Sequence, residues 1–493
     1  MSLILALDQG TSSSRALLLD GSARVLAVHS EPFDCDYPQP GWVEVDAELL
    51  WRTQLQSIHG VLAQAEVRVG DIDAIGITNQ RETVIAWDRL VGTPLGPAII
   101  WQCRRTQSMC TELRDRGLDE SIRIRTGLVV DPYFSASKMR WMLDHWPHAR
   151  ALAARGRLCL GTVDAWLTWR LSGGAAFITD ASNAARTMLY ALDAGDWDPW
   201  LLDLFGIPRA CLPRVVDSAG RLAMTAEGVF GARVPIGGLI GDQQAALFGQ
   251  ACFAPGMAKN TYGTGCFLLL NTGHERVHSR HGLLSTVAWQ LDGTRSYALE
   301  GAVFVAGALL QWLRDGLGLI GHAAESESLA RSVADSGGVH VVPAFAGLGA
   351  PYWDAQARGL ICGLTRGSTR AHIVRAALEA VAMQNVDLLD AMRMDFAGEL
   401  AELRIDGGMS VNDFLCQLQA DLLGLAVCRA QQTESTALGA GLLAGLGVGL
   451  WRSLDDLATR WVCERRFEAG LDPFERGRRM QDWRRAVARA RSG

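Results

Sequence analysis

"LALDQGTSSSRALLLD", residues Leu5–Asp20, places an aspartate, a glycine, a threonine, three serines and an arginine between two apolar runs. Apolar runs of this length read as strands with buried faces, and the small residues between them read as a tight turn. A turn built this way leaves backbone N–H groups and hydroxyls unhindered, which suits an anionic phosphate and its metal ion. A plain hairpin loop is the alternative that the residues alone leave open. The design recurs in "GMAKNTYGTGCFLLLN", Gly256–Asn271, again strand, Gly/Thr turn and strand. The recurrence predicts two similarly built α/β domains, 1–249 and 250–493, facing one another across a cleft.

At 493 residues the chain exceeds the roughly 250–300 residues at which single cores stop growing, which independently calls for two domains. A formal charge of -6 gives no electrostatic reason to expect nucleic acid as a partner. Eleven cysteines without CxxC pairs or zinc spacing read as reduced thiols, and the default location is the cytoplasm. The uncharged stretch "STALGAGLLAGLGVGLW", Ser435–Trp451, is short and glycine-rich for a membrane span and reads as a close-packed interior helix. The arginines from Arg476 to Arg491 read as the solvated face of a closing helix.

Between the two turns, "IDAIGIT", "TVIAWD" and "AIIWQ" read as strands, and "SASKMRWMLDH" as a helix. "PIGGLIGDQQAALFGQ" runs from strand into helix, with Asp242 at the junction, where an Asp is commonly an N-cap. "LRIDGGMS" with "VNDFLCQLQADLLG" reads as strand, glycine turn and helix, a turn able to pass close to a base and ribose. The only lysines, Lys138 and Lys259, lie outside any GxxxxGK[ST] context, and no HRD-type loop is present. Walker-type and protein-kinase chemistry are thereby excluded, leaving a phosphate cradle made from two hairpin turns.

At this point several motifs in series resemble one family. "LALDQGTSSSRAL", "GITNQRE", "IWQCRRT", "DPYFSASK", "GDQQAALFGQ", "AKNTYGTGCF", "GLGAPYWD", "RGLICGLTRG" and "RIDGGMSVNDF" are similar to the glycerol kinases of the FGGY carbohydrate kinases, over essentially the whole chain. The resemblance implies an α/β fold of two actin/RNase H-like domains, with mixed sheets flanked by helices and ligands in the interdomain cleft. It implies ATP-dependent phosphorylation of glycerol to sn-glycerol 3-phosphate with Mg²⁺, and a homo-oligomer, dimer or tetramer.

Residue by residue, the resemblance makes Asp8 the magnesium carboxylate, with Gln9, Gly10, Thr11, Ser12, Ser13 and Arg15 around the phosphates. Gly263, Thr264 and Gly265 form the matching turn. Asp242 becomes the general base, and Arg81, Glu82, Trp101, Tyr133, Asp242, Gln243 and Phe267 the acceptor site. Thr264, Gly307, Gln311, Gly408, Met409 and Asn412 form the adenosine side, where Met409 replaces a common alanine and implies a tighter pocket. On the residues alone, Arg81 and Glu82 also fit a surface charge pair at a strand end. Two rival readings follow: an FGGY kinase for another polyol or ketose, and a catalytically silent actin-fold ATP-binding regulator.

Overall fold

The computed structural model describes residues 2–354 and 356–491. The apolar runs beside the opening turn pair antiparallel as β1 (Leu3–Gln9) and β2 (Ser13–Asp20), with Asp8 opposite Arg15. β3 (Val25–Pro32) continues the meander on β2. "IDAIGIT" supplies β4 (Ala74–Asn79), buried throughout and parallel to β1. Parallel strands have both faces covered, so a near-continuous apolar run is what such a strand needs. β5 (Ala219–Met224) and β6 (Pro235–Gly241) complete a mixed sheet of order β5-β6-β4-β1-β2-β3.

The second sheet repeats that plan. β7 (Ala258–Tyr262), β8 (Cys266–Gly273), β9 (Leu284–Leu291) and β10 (Thr294–Val303) pair antiparallel around the second Gly/Thr turn. β11 (Leu403–Asp406) and β12 (Val427–Ala430) add in parallel, and β13 (Cys463–Phe467) closes the edge antiparallel. The order is β9-β10-β8-β7-β11-β12-β13. Each sheet therefore has an antiparallel meander entered through a Gly/Thr turn, then two parallel strands, then an antiparallel edge.

Two of the strands read from the sequence stand outside these sheets. "TVIAWD" forms Val84–Asp88 in a separate four-stranded sheet with Glu44–Val45, Ala98–Ile99 and Leu158–Thr162. Only Ala98–Ile99 of "AIIWQ" is strand. The Trp101 N–H is taken by the Thr83 hydroxyl at 3.1 Å, and Cys103 N–H turns back to the Ile100 carbonyl at 3.0 Å, which ends the ladder.

Helices cover the sheets. α1 (Ala47–Gln64) lies on β2 and β3. α2 (Asp242–Gly249) follows β6, and α3 (Gly307–Asp315) follows β10. α4 (Arg370–Asp395) and α5 (Asp413–Leu423) pack together over the second sheet. α6 (Ser435–Gly447), the glycine-rich stretch, is an interior helix as read: it packs on β1, β4 and β6 and crosses α2. Its glycines permit that approach, since a Cβ on Gly439 would lie 1.9 Å from the Ala245 carbonyl oxygen. A core including Leu19, Phe248, Leu269, Trp289 and Leu443 thus joins the two halves. The final helix, Pro473–Arg491, buries Met480, Trp483 and Val487 and turns most of its arginines outward. All eleven cysteines are free thiols. Among the described residues, no helix is long and apolar enough to cross a membrane.

Candidate active site

The two Gly/Thr turns belong to different sheets, the first joining β1 to β2 and the second β7 to β8. In the first, the Gly10 N–H closes on the Ser13 carbonyl at 2.9 Å, while Ser14 donates to the Gln9 side-chain oxygen at 3.0 Å. Thr11 accepts from the Trp101 indole at 2.9 Å, which fixes that ring beside the turn. Ser12 and Ser13 keep their hydroxyls free of partners among the described residues, and Arg15 pairs with Glu434 at the head of α6.

In the second turn the Gly263 N–H meets the Gly265 carbonyl at 2.9 Å. Its carbonyls in turn accept the first N–H groups of α3: Ala306 and Ala308 donate to Thr264, and Gly307 donates to Gly263 at 3.0 Å. Gly265 is obligatory, because a Cβ there would stand 2.2 Å from the Val303 carbonyl oxygen. Gln311 projects one turn further along α3 and is exposed.

The strand, glycine turn and helix after β11 are as read. Gly407 is left-handed at φ 85° and abuts Tyr262, next to the second Gly/Thr turn. A Cβ on Gly408 would meet nothing within 4 Å, so this backbone borders open space. Asn412 caps α5 by accepting from Leu415 N–H at 2.9 Å and donates to Ser326. The Met409 side chain is buried in the second domain's core, so its bulk does not tighten the space beside Gly408 as the sequence reading proposed.

Arg81 and Glu82 are not a surface pair. Both are almost wholly buried, at 2% and 1% exposure. Thr83 N–H bonds the Arg81 carbonyl at 2.8 Å, and Glu82 at the apex has φ 61°. This is a γ-turn on a non-glycine residue, which is rare and costs about 1–3 kcal/mol. Across this turn the adjacent charged side chains of Arg81 and Glu82 are both buried. Glu82 accepts from Arg186 Nε at 2.6 Å, and its second oxygen has no hydrogen bond among the described residues. Arg81 is gripped by Glu300 and also donates to Gln244 at 3.1 Å.

Asp242 is not the N-cap of α2. Gly241 holds that position, and Asp242 is the first helical residue, accepting from its neighbour's N–H at 2.7 Å. Its Oδ1 lies 3.0 Å from Arg81 Nε, yet that nitrogen is not aligned to hydrogen-bond it. Gln243 beside it accepts from Lys259 at 2.6 Å. Tyr133 and Trp101 meet edge to face at 5.5 Å, and Arg186 stacks over Tyr133 and Phe134. Phe267 sits on β8 opposite Thr261, whose hydroxyl also accepts from Lys259. Arg81, Glu82, Tyr133, Asp242 and Gln243 are thus assembled at one place, with Phe267 on the facing sheet.

Electrostatics mark the same place. Burial pushes the Asp8 carboxyl up to about 6, with Arg15 opposing and the Asp242 charge adding to the rise. Burial likewise raises Asp242 and Glu82 against nearby arginines. For Glu300 the order reverses: burial would raise it, but Arg186 and Arg81 together hold it at about 2. Burial lowers Lys259 to about 8. Two carboxylates raised by enclosure at a cleft, beside fixed guanidinium groups, can accept a proton and hold a cation.

Glu300, Arg186, Gln244 and Lys259 are the participants that sequence reading misses. Their one local signal is a lone charged or polar group inside an apolar run, as in "SYALEGAV".

Comparison with known proteins bears on the whole chain. Residues 3–249 match the N-terminal domain, and residues 258–448 the C-terminal domain, of the FGGY family of carbohydrate kinases. The chain is 58% identical over 491 residues to a glycerol kinase of Aromatoleum aromaticum, covering 100% of this chain and 99% of that one. It is 54% identical over 488 residues to a glycerol kinase of Deinococcus radiodurans, covering 99% and 97%. Among solved structures, a glycerol kinase of Plasmodium falciparum with ADP superposes at a TM-score of 0.94 and 34% identity, covering 99% of this chain and 98% of the other.

Proposed function

The chain belongs to the FGGY family of carbohydrate kinases, and from that premise we propose that it transfers the terminal phosphoryl group of ATP to a primary hydroxyl of glycerol. The products are sn-glycerol 3-phosphate and ADP. The observation that carries the reading is the set of polar groups left over in this enclosed cluster, to which Arg186 Nη1, also without a hydrogen-bond partner among the described residues, belongs. Arg81 Nε has no aligned acceptor, and the second oxygen of Glu82 and the Tyr133 hydroxyl have no hydrogen bond among the described residues. A small triol needs both donors and acceptors at close quarters, and this set supplies them.

In this mechanism the attacking hydroxyl of glycerol gives its proton to the Asp242 carboxylate as its oxygen bonds the terminal phosphorus, and ADP departs with the broken P–O bond. Burial prepares Asp242 for the task by raising its proton affinity, a rise that the Arg81 charge opposes. The aromatic edges of Trp101, Tyr133 and Phe267 exclude water from the carbon chain. Backbone N–H groups and hydroxyls of Thr11, Ser12 and Ser13, together with the Gly263–Gly265 turn, hold the phosphates. The adenosine lies along Gly408, Met409 and Asn412 with Gly307 and Gln311.

A magnesium ion fits the donors present: Asp8 is a carboxylate whose charge is disfavoured by enclosure and by Asp242, and Mg²⁺ is bound through one or two carboxylates plus substrate phosphates. When bound it neutralises charge on the phosphate oxygens. The free thiols suit a reducing compartment, in keeping with a cytoplasmic enzyme.

The test is ADP release measured with no acceptor and then with glycerol, xylulose, ribulose or gluconate. Glycerol should stimulate release far above the others. Equal or greater stimulation by another acceptor would reassign the substrate, and acceptor-independent release alone would remove it.

A further inference from the structure

Two guanidinium groups share the enclosed acceptor site, and of the three carboxylates within ion-pair distance of them, Glu82, Asp242 and Glu300, only Glu300 comes from the second sheet. Arg186 is 0% exposed and Arg81 2%, so their mutual repulsion is poorly screened. Glu82, next to Arg81 in the chain, serves Arg186. Glu300 arrives from β10 on the facing sheet. One of its oxygens accepts from Arg81 Nη1 at 2.6 Å, and the other accepts from Arg81 Nη2 at 2.9 Å and from Arg186 Nη2 at 3.0 Å. Both terminal nitrogens of Arg81 are thereby occupied, and only the Nε edge is left toward Asp242.

We propose that Glu300 is the positioning residue of the acceptor site: by holding the fork of Arg81 it leaves the Nε edge for the acceptor hydroxyls and leaves Asp242 free to take the proton. The proposal rests on reading the cleft as that of a polyol kinase, and adds what limits the arginine to a single unaligned approach to the base, Nε to Oδ1, rather than a two-point pair. Without the Glu300 charge, the carboxylates nearest Arg81 are Asp242, at 3.0 Å, and Glu82, at 3.9 Å and already bonded to Arg186. A guanidinium fork prefers a two-point pair with a carboxylate, so Arg81 turns onto Asp242. That single movement removes a donor from the acceptor and masks the base. Because Glu300 sits on the second sheet and Arg81 and Arg186 on the first side, the acceptor site is complete only while the two sheets are apposed.

The experiment titrates acceptor and ATP separately in Glu300→Gln and Glu300→Asp, with thermal melts alongside. Glu300→Gln should raise the glycerol KM at least about tenfold and lower kcat about tenfold or more, while the ATP KM stays within about twofold. Glu300→Asp keeps the charge and should recover part of the loss. Should the Gln variant fail to fold, the Asp variant decides, since a carboxylate withdrawn by one methylene should still raise the glycerol KM alone. Wild-type glycerol kinetics in either folded variant would overturn the proposal. So would a parallel loss in the ATP and glycerol constants with a lowered melting point, the signature of a merely structural ion pair. If the wild-type protein prefers another polyol or ketose, the glycerol reading alone fails, and the same split is read on that acceptor.

Discussion

Lys259 on β7 donates to the side-chain oxygen of Gln243 on α2 across 2.6 Å. That contact fixes the orientation of the Gln243 amide, so a lysine on one sheet holds the side chain next to the proposed base. Lys259→Met keeps the stem and removes the cation. The freed amide should rotate, and the glycerol KM should rise roughly three- to tenfold, a loss on the order of 1 kcal/mol expected for one hydrogen bond. A KM unchanged from wild type would show that Gln243 does not contact the acceptor.

The same lysine predicts a pH response. Burial lowers its ammonium from 10.5 to about 8. Between those values the unfolded chain holds the proton and the folded chain does not, so this group's contribution to stability rises with pH from about 8 to 10.5. Function runs the other way, because neutral Lys259 no longer fixes Gln243 as firmly. The glycerol KM should climb as pH rises past about 8 in wild type, and Lys259→Met should lack that climb. Steady-state kinetics from pH 7 to 9.5 on both proteins decide the point.

Asp8 trades stability for its role. Its folded carboxyl, at about 6, lies above the unfolded 3.8, so the folded chain binds the proton more tightly. The sign follows: its ionisation costs stability as pH rises from 3.8 to about 6, and the cost is complete at neutrality. Asp8→Asn should therefore melt higher than wild type at pH 7, by on the order of 2 °C, and the advantage should shrink below pH 6. Phosphoryl transfer in the same variant should fall about 100-fold or more if Asp8 is the proposed magnesium carboxylate. An Asn variant that melts lower at pH 7, or that keeps its activity, would contradict this account of Asp8.

What is legible in the sequence is whatever depends on near neighbours. Strand, Gly/Thr turn and strand at Leu3–Asp20 and Ala258–Gly273 show themselves by period and small residues, and the glycines of α6 announce close packing. The charges behind the proposed acceptor site do not. Glu300 meets Arg81 across 219 positions of chain and Arg186 across 114, and a lone carboxylate in an apolar strand carries no sign of its partner. Glu82 adopts φ 61° without the glycine that would advertise it. Likewise nothing local separates Gly241 from Asp242 as the helix cap, and sheet membership of "TVIAWD" is set by distant strands.

Asp242→Asn isolates proton transfer. The amide keeps the shape and can still accept from the Gln243 N–H, but it cannot take a proton at neutral pH. Turnover should fall by roughly 10²–10⁴, with the ATP KM little changed, since the two Gly/Thr turns proposed to hold the phosphates are built elsewhere. The melting point should hold or rise, because burial already raises the Asp242 carboxyl. Single-turnover transfer at saturating glycerol is the measurement, and a near-wild-type rate in the folded variant would leave Asp242 without a catalytic part.

The adenosine side is tested at Gly408, because its Cβ direction is open. An alanine there would meet no atom within 4 Å, whereas one at Gly265 would strike the Val303 carbonyl oxygen at 2.2 Å. Gly265→Ala should therefore lower the melting point along with activity, and its kinetics would mix unfolding with lost binding. Gly408→Ala separates them: neither positive φ nor crowding opposes the new methyl, so its melting curve should overlay that of wild type. If the nucleoside lies against this backbone, the methyl occupies its space, and overpacking of about 1–3 kcal/mol predicts an ATP KM raised roughly five- to hundredfold. The glycerol KM should stay put, because Arg81 and Glu82 are on the other side of the cleft. Equal ATP affinity in wild type and Gly408→Ala would move the adenosine away from this turn and leave Gly408 as a conformational residue of the β11–α5 connection.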